Sequence, residues 1–320
     1  MNVRLPEAFR YGNSEPDVEF PSPSVITSFF HRLLCKEISG RHPFLSPEEQ
    51  SKLRGHYPLL LAPNLYPPEM IERVYVNRRT PAAKIILEDE SPVVFDGGCG
   101  YGSESFLFAS LGAKVLAVDI CEEKIQIAEK RQRFYEEIMG KPLDITFAVA
   151  DLDEYTADTL NLSVTWLASV LAAVRDQDKF LAKIHQATRL GGQVMITDMN
   201  LLNPLFLIKE WCRRQQAKNE CFEFALHSDF WAMLKRNGRI GARYFPGHNG
   251  RPFDDVQFFS AMTLSKLLSN VGFVPRSVFS SGFIPPYLWQ LGLGSLENLF
   301  SRLSLLRWFG YFYLVAGMKQ

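Results

Sequence analysis

The order of apolar and amphipathic segments between residues 91 and 198 constrains the fold more than any other feature of the sequence. Short apolar runs, which predict strands, alternate with longer amphipathic runs that end near a glycine and predict helices. The predicted strands are residues 92–96, 114–119, 145–150, 160–167 and 193–198, and the predicted helices are residues 103–111, 122–139 and 176–188. Strands that alternate with helices in this way form a parallel sheet with helices on both faces, so we expect an α/β fold.

The first predicted strand continues into a glycine-rich turn with the sequence VVFDGGCGYGSES, residues 93–105. Glycines at such a turn let backbone N–H groups come close to a ligand. The dinucleotide pattern G-x-G-x-x-G does not fit, because its third position falls on Ser103 or Ser105. Asp96, at the end of the strand, would repel a pyrophosphate, but it suits a cationic or zwitterionic group. The turn therefore favours a ligand other than a dinucleotide.

Carboxylates also end the next two predicted strands. Asp119 ends the segment VLAVDI, where it can accept hydrogen bonds from both hydroxyls of a ribose, and Ile120 beside it offers an apolar face to a purine. Asp151, in AVADLDE, is placed to accept from an exocyclic amino group. Because open α/β sheets bind ligands at the carboxyl ends of their strands, we expect the three carboxylates to line one binding edge.

Taken in order, these motifs resemble those of the class I S-adenosylmethionine-dependent methyltransferases of the small-molecule branch. VVFDGGCGYG is similar to the first motif of that family, VLAVDI to the second and AVADLD to the third, while residues 162–198 are similar to its fourth strand, helix and fifth strand. The resemblance covers roughly residues 90–320. It implies a doubly wound, mostly parallel seven-stranded sheet with an antiparallel last strand, which YFYLVAGMKQ would supply, and S-adenosyl-L-methionine as the cofactor.

The resemblance also assigns cofactor-binding residues. The glycines of the turn would approach the amino-acid part of the cofactor, and Asp96 would orient that part. Asp119 would hold the ribose, and Asp151 with the Leu152 amide would read the edge of the adenine. The expected cofactor-binding residues are Asp96, Gly97, Gly98, Gly100, Gly102, Asp119, Ile120, Asp151, Leu152 and Leu167.

No catalytic residue follows from the resemblance. Relatives often carry a polar or histidine-containing stretch after the fourth strand, whereas this chain has WLASVLAAV. We expect the aromatic and locally basic insertion at about residues 199–255 to cap the substrate. His227 and His248 lie in that insertion and are the two candidates for a general base. Cys99 is expected to be a small packing residue rather than a nucleophile.

Residues 1–90 predict a helical N-terminal extension, or cap, ahead of the methyltransferase domain at residues 91–320. Within the cap, SPEEQSKL carries a capping box from Ser46 to Glu49, and residues 67–79 predict a short helix. We expect the cap and the insertion to close over the cofactor and to form the acceptor pocket.

Composition limits the partners and the compartment. The 35 basic and 35 acidic residues cancel, so no overall positive charge favours nucleic acid. The five cysteines include no CxxC pair, which favours free thiols in a reducing compartment over disulfides or a metal site. Without an apolar signal segment near Met1 or a convincing membrane span, we expect a cytoplasmic protein.

The acceptor is expected to be a small molecule, with an apolar or lipid-like molecule as one alternative. Residues 293–306 place leucines at helical spacing, which predicts a helix that either packs on the sheet or touches a membrane surface or an apolar channel. Two other interpretations of the whole chain stay open, namely a non-catalytic relative that binds the cofactor and a nicotinamide-dependent oxidoreductase. The oligomeric state, the acceptor atom and the pathway do not follow from the sequence.

Overall fold

Seven strands form one sheet in a computed structural model of the chain, which describes residues 21–64, 66–155, 160–203, 259–303 and 308–320. Their order across the sheet is β3-β2-β1-β4-β5-β7-β6. The strands are β1 (Val93–Gly97), β2 (Lys114–Asp119), β3 (Ile145–Val149), β4 (Leu162–Ala168), β5 (Thr188–Met199), β6 (Val274–Ser281) and β7 (Phe312–Met318). Strand β7 runs antiparallel to both of its neighbours, and the remaining pairs are parallel. The predicted fold class, including the reversed last strand, is confirmed.

Nine α-helices of the described residues surround this sheet. They are α1 (Pro23–Ser39), α2 (Pro47–His56), α3 (Pro68–Glu88), α4 (Ser103–Ser110), α5 (Glu122–Met139), α6 (Gln177–Ala187), α7 (Ala261–Asn270), α8 (Pro286–Gln290) and α9 (Leu296–Arg302). The capping box is present, since the Ser46 hydroxyl accepts from Glu49 N and the Glu49 carboxylate accepts from Ser46 N. Gly140 ends α5 in a left-handed conformation, as its sequence position predicts. Among these helices, none is both long and apolar enough to cross a bilayer.

Three predicted elements differ from the structure. Helix α3 continues to Glu88 in spite of Pro81, because Ala82, Ala83 and Ile86 beyond the proline are buried in the main core. Strand β5 begins at Thr188 rather than at residue 193, and its pairing with β4 shifts register between Leu162 and Val164.

The helix predicted at residues 293–306 is interrupted. A 3₁₀ turn at Leu293–Ser295 precedes α9, and residues 304–307 lie outside the described part. Leu299 and Leu303 are 53% and 45% exposed, so this segment does not bury the whole leucine stripe against the sheet.

The first and third helices share the main hydrophobic core with the sheet. Ile26 and Phe30 of α1 are fully or almost fully buried in the cluster that contains Phe106 and Trp166. The rings of Phe30 and Phe106 both stack on Tyr135 of α5, with centroids 6.3 and 4.4 Å away. The N-terminal helices therefore pack as a part of the α/β body.

Candidate functional site

The glycine turn after β1 folds back on the end of β2. The N–H groups of Gly98 and Cys99 donate to the Val118 carbonyl at 2.7 and 3.0 Å. Gly98 has a φ of 72°, and a Cβ atom there would lie 2.4 Å from the Val170 side chain. Gly102 has a φ of 80°, and its Cβ would lie 3.1 Å from Phe106 and Phe147. Only glycine fits this backbone without strain or collision, so the turn stays close to the edge of the sheet.

Asp119 fixes the turn and keeps capacity for a ligand. Its Oδ2 accepts from Gly100 N at 2.9 Å, and its Oδ1 accepts from Cys121 N at 2.9 Å. A carboxylate offers about four acceptor positions, so about two remain for further donors. Ile120 beside it is 43% exposed, which is unusual for an apolar residue at the end of a buried strand.

Asp96 lies in β1 with 2% of its surface exposed. Its Oδ2 accepts from Ser105 Oγ at 2.5 Å, and no cationic nitrogen of the described residues lies within ion-pair distance. Burial, followed by the negative charge of Glu104, raises the pKa of the Asp96 carboxyl to about 8. A cation placed beside this group would favour its ionised form.

The remaining predicted site residues occupy two kinds of position. Asp151 is half-buried just after β3, and its Oδ1 accepts from Asp153 N at 2.9 Å, which closes a turn around Leu152. Leu167 has no exposed surface, and a Cβ on Gly97 would lie 2.8 Å from its Cδ2. The Leu167 side chain therefore packs beneath the turn.

Asp96, Asp119 and Asp151 thus lie at the carboxyl ends of the neighbouring strands β1, β2 and β3. His227 and His248 lie outside the described residues, as does most of the predicted insertion. Cys99 is buried in the turn, and burial raises the pKa of its thiol well above the usual value, so it stays protonated.

Several residues next to the turn were not found by sequence reasoning. The ring of His56, at the exposed end of α2, meets Tyr101 edge-on with centroids 5.0 Å apart. Tyr57 Oη lies 2.5 Å from Ser103 Oγ, so the cap reaches the start of α4. Ser169, just after β4, has a φ of 54°, a strained value for a residue other than glycine. A single sequence gives no signal for contacts between segments so far apart.

A buried ionic cluster supports the turn from below. Arg131 of α5 donates to both carboxylate oxygens of Glu37 in α1, from Nε at 2.7 Å and from Nη2 at 2.6 Å. Its Nη1 donates to the Tyr101 carbonyl at 2.5 Å and to Ser103 Oγ at 3.2 Å. Both charged side chains are completely buried. The cluster therefore joins the cap, α5 and the glycine turn in one set of hydrogen bonds.

A family described as a methyltransferase domain matches residues 88–241, just under half of the chain. The match begins just before β1 and includes every motif of the turn edge, and the sheet has the seven strands and the antiparallel last strand that the sequence resemblance implies. Residues 88–241 therefore carry a methyltransferase domain. The cofactor of this methyltransferase is S-adenosyl-L-methionine.

Solved structures give weaker likenesses to other methyltransferases. The chain is 18% identical to an S-adenosylmethionine-dependent methyltransferase from Methanosarcina mazei, with a TM-score of 0.49 and with 72% of this chain and 93% of that one covered. It is 14% identical to magnesium protoporphyrin IX methyltransferase from Synechocystis, with a TM-score of 0.47 and coverages of 93% and 99%. No curated protein matches the sequence significantly. The assignment rests on the family match.

Proposed function

We propose that the turn edge holds S-adenosylmethionine through Asp96, the turn glycines, Asp119, Ile120, and Asp151 with the Leu152 amide. Asp119 supports this assignment most directly, because it is fixed by two backbone N–H groups and retains acceptor capacity for two ribose hydroxyls. The exposed Ile120 side chain gives the adenine an apolar surface. Asp96 is a buried carboxyl that forms no ion pair with any described residue, and the ammonium group of the cofactor would supply an ionic partner.

The residues of this edge are proposed to bind and orient the cofactor and to take no part in the reaction themselves. When bound at this edge, the cofactor would supply an activated methyl group on a positively charged sulfur. The protein aligns the acceptor and excludes water. A base is needed only for an acceptor that must lose a proton, and His227 and His248 remain the candidates from the sequence.

We further propose a small acceptor, with an apolar or lipid-like molecule as one alternative, and a cytoplasmic location. Leu291, Leu299 and Leu303 support the apolar alternative, because their side chains are 72%, 53% and 45% exposed around α8 and α9. The same leucines would serve contact with a membrane surface. The cap and the insertion at about residues 199–255 are proposed to form the acceptor pocket.

The test is calorimetric binding of S-adenosylhomocysteine to wild type and to Asp119→Ala. We expect the variant to lose about 1–3 kcal/mol of binding, or about 5- to 150-fold in affinity, since hydrogen bonds to a charged group are removed. Asp178→Ala, which changes an exposed carboxylate of α6, serves as the control and should bind normally. Wild-type affinity in Asp119→Ala would refute the ribose assignment, and tight binding of NADH would refute the whole site.

A further inference from the structure

Arg78 of α3 has an unusual environment for an arginine. Its guanidinium carbon lies 5.0 Å from the centroid of the Phe312 ring, at the start of β7. Its Nε–H is buried and has no hydrogen-bond partner among the residues that the structure describes. Within those same ranges no carboxylate comes close enough to form an ion pair with it. The guanidinium therefore rests on an aromatic ring with a donor left unused.

The neighbouring Arg79, in contrast, has a carboxylate partner. Arg79 forms an ion pair with Glu104 and lies over the ring of Tyr75. For Arg78, burial and then the positive charge of Arg79 lower the pKa to about 10. The charges of Glu104 and Asp198 offset this only in part. A partly buried cation without a paired anion is costly, so an anion that arrives from outside would bind favourably here.

The position of Arg78 separates it from the proposed cofactor-binding edge. The glycine turn follows β1, and Asp119 ends β2, so the cofactor would lie over β1 and β2. Phe312 belongs to β7, which is three strands from β1 on the opposite side, or roughly 14 Å at the usual strand spacing. Asp198, which also acts electrostatically on Arg78, ends β5 between them. The side of the edge over β4, β5 and β7 is therefore the part that the cofactor would leave free for an acceptor.

We propose that Arg78 binds an oxyanion of the acceptor, a carboxylate or a phosphate group, and that the Phe312 ring packs against the adjoining part of that molecule. The planar guanidinium offers parallel N–H donors to such a group, and the aromatic face keeps its orientation fixed. This inference rests on the proposed function, because the cofactor defines which side of the edge the acceptor takes. It narrows the small acceptor to an anionic one.

The experiment uses full-length protein saturated with S-adenosylhomocysteine and three simple probes. Benzoate and phenyl phosphate carry the two oxyanions, and benzamide is the neutral analogue of similar shape. Their affinities are measured by ligand-observed NMR titration for wild type, Arg78→Met and Arg78→Lys. Arg175→Met is the control, because the Arg175 side chain lies just before α6 and is 80% exposed. Binding of S-adenosylhomocysteine itself is measured for each variant by calorimetry.

We expect at least one anionic probe to bind wild type at least tenfold more tightly than benzamide. Arg78→Met should lose at least tenfold of that affinity, Arg78→Lys should lose less, and Arg175→Met should lose nothing. In each variant S-adenosylhomocysteine should bind as in wild type. Equal binding of the anionic probes to wild type and to Arg78→Met overturns the inference. So does the absence of binding to wild type at a probe concentration of about 10 mM, which is the order of magnitude at which weak fragments bind.

Two results separate this inference from the proposed function. Loss of S-adenosylhomocysteine binding in Arg78→Met alone would move Arg78 into the cofactor site and overturn only the acceptor assignment. Failure of wild type to bind S-adenosylhomocysteine would instead refute the proposed function.

Discussion

Replacement of Glu37 by glutamine should destabilise the methyltransferase strongly, although Glu37 lies far from β1 in sequence. The substitution keeps the shape of the side chain but removes the charge that faces Arg131. Arg131 is completely buried, so its guanidinium would be left without a counter-charge. Removal of one partner of a buried pair costs about 3–5 kcal/mol in proteins.

The low pKa of Glu37 gives a second value for the contribution of its charge to stability. Burial alone would raise the pKa of the carboxyl, but the Arg131 charge and the hydrogen bonds from Arg131, His42 and Tyr135 lower it to about 2. The ordinary value is about 4.3, and each pKa unit corresponds to about 1.36 kcal/mol, so the charged state contributes about 3 kcal/mol of stability. Because the folded-state pKa is the lower one, this contribution is complete above about pH 5 and is lost as the pH falls toward 2.

The assay is urea unfolding followed by tryptophan fluorescence, on wild type, Glu37→Gln and Glu49→Gln. Glu49 is the matched control, since its ion pair with Lys130 also joins the cap to α5 but is partly exposed. Exposed pairs contribute about 0–1 kcal/mol. The reasoning fails if Glu37→Gln lowers the free energy of unfolding no more than Glu49→Gln does. It also fails if the difference between wild type and Glu37→Gln does not shrink between pH 5 and pH 3.

Three further outcomes are expected. Gly98→Ala should weaken S-adenosylhomocysteine binding by more than tenfold, because the added Cβ would collide with Val170. Gly112→Ala is the control and should bind normally, because Gly112 has a φ of 99° but open space around it. Equal affinities of the two variants in calorimetry would contradict the prediction. The affinity of wild type for S-adenosylhomocysteine should rise between pH 6 and pH 8, as Asp96 with its raised pKa of about 8 ionises, and Asp96→Asn should show no such rise. If the exposed leucines touch a membrane, wild type should co-sediment with phosphatidylcholine–phosphatidylglycerol vesicles. The double variant with Leu299→Glu and Leu303→Glu should stay in the supernatant. Absence of wild-type protein from the pellet would remove the membrane alternative.

Local pattern predicted the α/β part of the fold well because its strands are short apolar runs between clear breaks. Helix α5 begins at Glu122 and ends at Met139, as predicted, since Gly140 stops it. Prediction was poorer where long-range packing overrides local preference. Pro81 reads as a helix breaker, yet the apolar residues beyond it hold α3 together against the sheet.

In the candidate site, too, residues placed by local pattern could be predicted and residues placed by long-range contacts could not. Asp96 and Asp119 could be placed from sequence, because each ends a strand and the ends of parallel strands share one edge. Arg131 could not, because its partner Glu37 is 94 residues away and nothing in either local segment indicates the other. In the sequence, Arg78 is one of several basic residues on a predicted helix. Only its position over the Phe312 ring in the structure distinguishes it from the other basic residues of that helix.

The stacking of Phe30 on Tyr135 has a consequence for how the chain is made. Helix α1 leaves the ribosome before α5, but the surface that covers its apolar side includes α5, which ends 100 residues after Ser39. At about 5–20 residues per second, translation needs roughly 5–20 seconds to supply it. During that interval Phe30 lacks the Tyr135 ring on which it stacks in the folded protein, so the apolar side of the nascent α1 is open to a chaperone.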